Sequence, residues 1–133
     1  MMSVPYGTKD VSYQAAGQFA GLIKLVDDFY GFMQTLPEAK HILEMHDEDL
    51  TVSKDKLARF LSAWTGGPRL YKEKYGAISI PSAHSHLAIG SSERDAWLLC
   101  MEKALALQPY EADFKRYLIT QLALPASRCK NRD

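Results

Sequence analysis

Residues 18–36 read QFAGLIKLVDDFYGFMQTL, and the spacing of their apolar members decides the fold. Phe19, Leu22, Ile23, Val26, Phe29, Tyr30 and Met33 recur every three or four positions. A helix therefore gathers them on one face and turns Asp27 and Asp28 to water. Pro37 ends that helix and suits the first turn of the next, which carries Ile42, Leu43 and Met45. The same period returns from about Ser53, at Leu57, Phe60, Leu61 and Trp64, up to the stop at Gly66-Gly67-Pro68. It returns again at Ala96, Trp97, Cys100, Met101, Ala104 and Leu105, behind a capping box expected from Ser92 and Asp95. A last helix is expected from Tyr110 to Leu124 on Phe114, Leu118 and Leu122, closed by Pro125. A short one precedes the first, between Asp10 and Gly17. The fold class is all-α.

A chain of 133 residues corresponds to one domain, here 1–133, with 1–11 as an N-terminal extension and 126–133 as a polar C-terminal tail, both expected to be flexible. A hydrophobic share of 47% is enough for a core, which excludes a disordered chain. Lysine and arginine number 16, as do aspartate and glutamate, so no basic excess favours nucleic acid or a charged membrane surface. No apolar run is long enough to span a bilayer, and no signal peptide is visible, so a cytoplasmic protein is expected. Cys100 and Cys129 are then reduced thiols, Cys100 on an inward stripe and Cys129 exposed in the tail.

One stretch lacks a helical period. Residues 66–90, GGPRLYKEKYGAISIPSAHSHLAIG, far exceed a usual connection of about 4–6 residues. Leu70, Tyr71, Tyr75, Ile78, Ile80, Leu87 and Ile89 make it too apolar for a solvated loop. Phosphate-binding glycine motifs, HExxH, CxxC and GxSxG are all absent from the sequence. His84-Ser-His86 alone is half of a zinc site and lacks partners at zinc-like spacing.

An ordered set of residues carries more information. It runs Phe29-Tyr30, His46, then W-x-G-G-P-x-x-Y from Trp64 to Tyr71, then H-x₄-I-x₃-E-R-D-A-W from His84 to Trp97. This pattern resembles the group II truncated haemoglobins, small bacterial and plant haem proteins, from about Ala15 to Leu118. The resemblance implies a two-over-two helical sandwich around haem b, iron protoporphyrin IX. It places the proximal iron ligand at His84, thirteen residues before Trp97, and leaves His86 at the haem edge or surface. It implies haem contacts from Phe29, Tyr30, His46, Ser53, Leu57, Phe60, Trp64, Tyr71, Leu87 and Trp97. Tyr30, Trp97 and His46 are the implied donors to the ligand, while Ser53 stands where other globins keep a distal histidine. Ala83 replaces the arginine that in this family often precedes the proximal histidine, which leaves Tyr71, Lys72 or Lys74 for the propionates.

The resemblance implies dioxygen, carbon monoxide and nitric oxide as ligands, held by a monomer or homodimer. Hydrogen bonds to a charged acceptor contribute about 1.5–3 kcal/mol each, so several donors slow oxygen release too far for bulk transport. Scavenging, sensing or redox chemistry fits better. The enzymatic alternative at the same haem is nitric oxide dioxygenation or peroxidase-type turnover with an unidentified electron donor.

Overall fold

The computed structural model describes residues 5–77, 87 and 89–131. Its helices are α1 (Val11–Ala15), α2 (Gln18–Thr35), α3 (Lys40–Glu44), α4 (Thr51–Trp64), α5 (Leu70–Tyr75), α6 (Ser91–Ala106) and α7 (Ala112–Arg128), with a 3₁₀ turn at Pro37–Ala39. Helix α2 packs on both α4 and α6, and α6 packs on α7, which gives the expected sandwich of two helix pairs. None of the described helices is long and apolar enough to cross a membrane.

Helix α2 buries Leu22, Leu25, Val26, Phe29, Tyr30 and Met33, a run of i, i+3, i+4, i+7, i+8 and i+11. Each such side chain contributes about 1.5–3 kcal/mol on burial. Ile23, expected on this stripe, is 44% exposed because it is rotated one position off it, and Leu25 fills the place. Leu36 is extended, at φ −79° and ψ 126°, as a residue before proline should be, and α2 ends there.

Residues 5–10, expected to be loose, are held. The Tyr6 ring packs on Phe114 with centroids 5.0 Å apart, and its hydroxyl donates to Asp113 at 2.9 Å. This segment and α1 after it account for the paired glycines that follow α4. Gly66 has φ +93°, and a Cβ there would lie 1.9 Å from the Lys9 carbonyl oxygen. At Gly67 a Cβ would sit 2.4 Å from the Tyr13 ring. The buried Ser62 hydroxyl closes the same turn by donating to the Pro68 carbonyl at 2.7 Å.

Three local expectations need correction. The α6 cap is not Ser92 with Asp95, because the helix begins two residues earlier, with Gly90 as its cap. The Gly90 N–H donates to the Glu93 carboxylate at 2.7 Å, and Asp95 instead accepts from Arg94. Helix α7 starts at Ala112, leaving Tyr110 in the preceding loop, where its hydroxyl donates to the Ala16 carbonyl at 2.9 Å. It also runs through Pro125 to Arg128. Proline removes one N–H from a helix, yet the Cys129 N–H still reaches the Pro125 carbonyl at 3.2 Å and the last turn forms.

The long irregular stretch contains α5, which shows no apolar stripe because none of its residues is buried. Polar contacts hold it instead. Asp55 on α4 accepts from Lys74 at 2.9 Å and from the Tyr75 hydroxyl at 2.6 Å, as well as from Arg59. His84 and His86 lie outside the described residues.

Candidate functional site

A cavity of about 350 Å³ lies between α2, α3, α4, α5, the start of α6 and the end of α7. Each wall follows from helical spacing. Helix α4 supplies Ser53, Lys56, Leu57 and Phe60, a set of i, i+3, i+4 and i+7. Helix α7 and its cap supply Leu122, Pro125, Ala126 and Cys129 at the same intervals. Ile42, Met45 and His46 close one side, Leu87 and Ile89 another, and Tyr30 comes from the middle of α2. Glu93, Arg94 and Trp97 come from the first two turns of α6, and Tyr71 from α5.

Tyr30, His46, Ser53, Leu57, Phe60, Tyr71, Leu87 and Trp97 are thus brought together as expected from the sequence. Two expected members are not. Phe29 is fully buried behind the wall, edge-on to Tyr30 at 4.9 Å and to Trp97 at 5.1 Å between ring centroids. It sets the two rings without facing the cavity. Trp64 shares the angular face of Ser53 but sits a turn beyond Phe60, and it lines a separate polar cleft with Lys9, Ser12, Thr65, Tyr117 and Gln121.

The polar atoms of the cavity have distinct roles. Tyr30 is 4% exposed, and burial pushes its hydroxyl well above the usual phenol range, so it keeps its proton. Among the described residues, no hydrogen-bond partner is found for that hydroxyl, which leaves it free to donate into the cavity. His46 stands edge-on to Tyr30, with ring centroids 5.6 Å apart, and its Nδ1 lies 2.8 Å from the Ile42 carbonyl oxygen. A carbonyl only accepts, so Nδ1 carries the hydrogen, and in the neutral ring Nε2 is an acceptor. The expected third donor is therefore an acceptor while His46 is neutral.

The charged side chains of the lining, among the described residues, are Lys56 from α4 and Glu93 and Arg94 from α6. Glu93 is held below the usual carboxylate range, first by the Gly90 N–H and then by His41, whose Nδ1 is 3.1 Å away. Of the three residues left for the propionates, only Tyr71 lines the cavity; Lys74 is committed to Asp55 and Lys72 is exposed elsewhere. Lys56 and Arg94 are the cationic side chains in the lining. From the sequence neither is assigned to the propionates, since Lys56 looks like an ordinary surface charge and Arg94 enters only as part of the E-R-D-A-W segment.

Cys129 was also misplaced. It is half-buried in the cavity wall and not exposed, and burial pushes its thiol up. The signal was present, since 122, 125, 126 and 129 continue the α7 stripe, but Pro125 read as a stop. Cys100 is fully buried with its thiol at about 11, and both cysteines are free.

An apolar chamber, two aromatic donors without a partner among the described residues, and cationic side chains in the lining suit a flat apolar group that bears carboxylates and a polar ligand. Comparison with known proteins agrees. The family model described as Bacterial-like globin matches residues 11–126. The chain is 33% identical over 120 residues to the group 2 truncated hemoglobin YjbI of Bacillus subtilis strain 168, covering 90% of this chain and 88% of that one. Among solved structures, the group II 2-on-2 hemoglobin of the plant pathogen Agrobacterium tumefaciens is 31% identical, with a TM-score of 0.87 and all of both chains covered. The truncated oxygen-avid haemoglobin of Bacillus subtilis is 33% identical, with a TM-score of 0.81 over 90% of this chain and 98% of that one.

Proposed function

From the premise that this chain belongs to the bacterial-like globin family and is a group II truncated haemoglobin, we propose that its cavity holds haem b and retains dioxygen tightly. When bound, the haem supplies an iron site for diatomic ligands, carbon monoxide and nitric oxide among them. The chain's own residues supply the rest. His84 is the proposed proximal ligand, on the thirteen-residue spacing to Trp97. Leu57, Phe60, Leu87, Ile89 and Leu122 exclude water from the haem faces, while Lys56, Tyr71 and Arg94 are the candidates to meet its carboxylates. Tyr30 and Trp97 donate hydrogen bonds to an oxygen ligand, and the His46 ring, edge-on to Tyr30, packs beside the phenol and leaves its hydrogen to the ligand.

The observation that carries this reading is Tyr30, nearly buried as a residue and protonated, whose hydroxyl lies on the wall of an apolar cavity without an acceptor among the described residues. Among the described residues no fully buried side-chain polar atom is left unmatched, so this hydroxyl opens onto the cavity, where a bound ligand can accept from it. Two strong donors favour retention of oxygen over its bulk transport. An absorption spectrum tests the proposal. Purified protein should show an intense Soret band that moves on reduction and again with carbon monoxide. A colourless protein that takes up no added haemin would refute it.

A further inference from the structure

We propose that residues 126–131 form a strap, with Asn131 as the positioning residue that fixes Leu87 and Ile89 in the cavity wall; its effect on haem rests on the function proposed above. Asn131 makes three hydrogen bonds to that wall. Its backbone N–H donates to the Ile89 carbonyl at 2.7 Å, its Oδ1 accepts from the Ile89 N–H at 2.9 Å, and its Nδ2 donates to the Leu87 carbonyl at 2.6 Å. Both ends of one amide are used, so the side chain sets the register of Leu87–Ile89 as well as its distance.

The strap joins two walls. Cys129, two residues before Asn131, lines the cavity from the end of α7, and Leu87 and Ile89 line it from the entry to α6. Ile89 leads directly into Gly90, whose N–H is already committed to Glu93. Asn131 thus ties the end of one long helix to the start of another beside the cavity. The family match ends at residue 126, so Asn131 itself lies outside the segment that the family model describes. A haem leaves when a wall opens, and release follows the population of the open form. Asn131 therefore sets how long this chain keeps its haem.

The test compares Asn131→Ala, and a chain ending at Lys130, with the parent protein. One arm follows haemin transfer to excess apomyoglobin. A second follows the reaction of Cys129 with a disulfide reagent in the apoprotein, assigned with Cys129→Ser. The expected result is roughly tenfold faster haemin transfer, equivalent to about 1.4 kcal/mol. A several-fold faster thiol reaction and a shifted ferrous Soret maximum should accompany it. The band shift reports on the haem surroundings, which a change in overall stability alone would not move. Parental rates in both arms for both variants overturn the strap. If the parent takes up no haemin, the proposed function fails, and the apoprotein thiol rates still decide the strap by themselves.

Discussion

Tyr30→Phe removes one oxygen atom from the cavity wall and keeps the ring. The ring has reason to stay, since it stands edge-on to Phe29 at 4.9 Å and to His46 at 5.6 Å. The hydroxyl it loses is a permanent donor, because burial keeps it protonated throughout the working pH range. A hydrogen bond to a charged acceptor contributes about 1.5–3 kcal/mol, and about 1.4 kcal/mol is a factor of ten. Oxygen release should therefore accelerate roughly tenfold to a hundredfold. His46 offers no replacement while neutral, since its Nδ1 hydrogen is spent on the Ile42 carbonyl. Trp97→Phe should act in the same direction. The double variant should depart from additivity, because both donors serve one acceptor. Carbon monoxide, a poorer acceptor, should respond less. Stopped-flow oxygen release on the three variants reads this directly. If neither single change moves the rate beyond about twofold, Tyr30 and Trp97 are core aromatics and the ligand is held some other way.

His84→Ala should lose most haem retention, whereas His86→Ala should keep a normal ferrous–CO spectrum; the opposite pattern would shift the assignment by two residues. Native thiol titration should find Cys129 reacting slowly, Cys100 slower still, and haemin protecting Cys129; equal rates with and without haemin would remove Cys129 from the haem wall. Asp55 is held at about 2, first by the Tyr75 hydroxyl and then by Lys74 and Arg59. Because that value is depressed on folding, its stabilisation is complete above about pH 4 and is lost as pH falls towards 2. Asp55→Asn should lower the melting temperature at pH 7, flatten the acid limb over that window and speed amide exchange in residues 70–75. Acid limbs that superimpose would show that this cluster does not anchor α5.

The elements that bury a stripe were legible, and those held by other forces were not. Helices α2, α4 and α6 announce themselves because each buries apolar residues at helical intervals, and Tyr30, Leu57, Phe60 and Trp97 came with them. Helix α5 buries nothing and is tied down by Asp55, so no periodicity reveals it. The α7 wall was lost because a proline inside a helix reads as its end, although the stripe continues to Cys129. The resemblance implies haem contacts from both Phe29 and Tyr30, but neighbours on a helix diverge by about 100°, and only Tyr30 reaches the cavity. Trp64 failed for another reason, since sharing a face says nothing of distance along the axis. The tautomer of His46 depends on a carbonyl four residues earlier, a relation fixed only by the fold.

The central claim is that one haem occupies the cavity that Trp97 lines. The chain has two tryptophans, so Trp64→Phe leaves Trp97 as the sole indole reporter. Haemin titrated into that apoprotein should quench its fluorescence almost completely, with a sharp break at one equivalent and a Soret band growing in parallel. A shallow decline with no break, or indole emission that persists at saturation, would contradict the account.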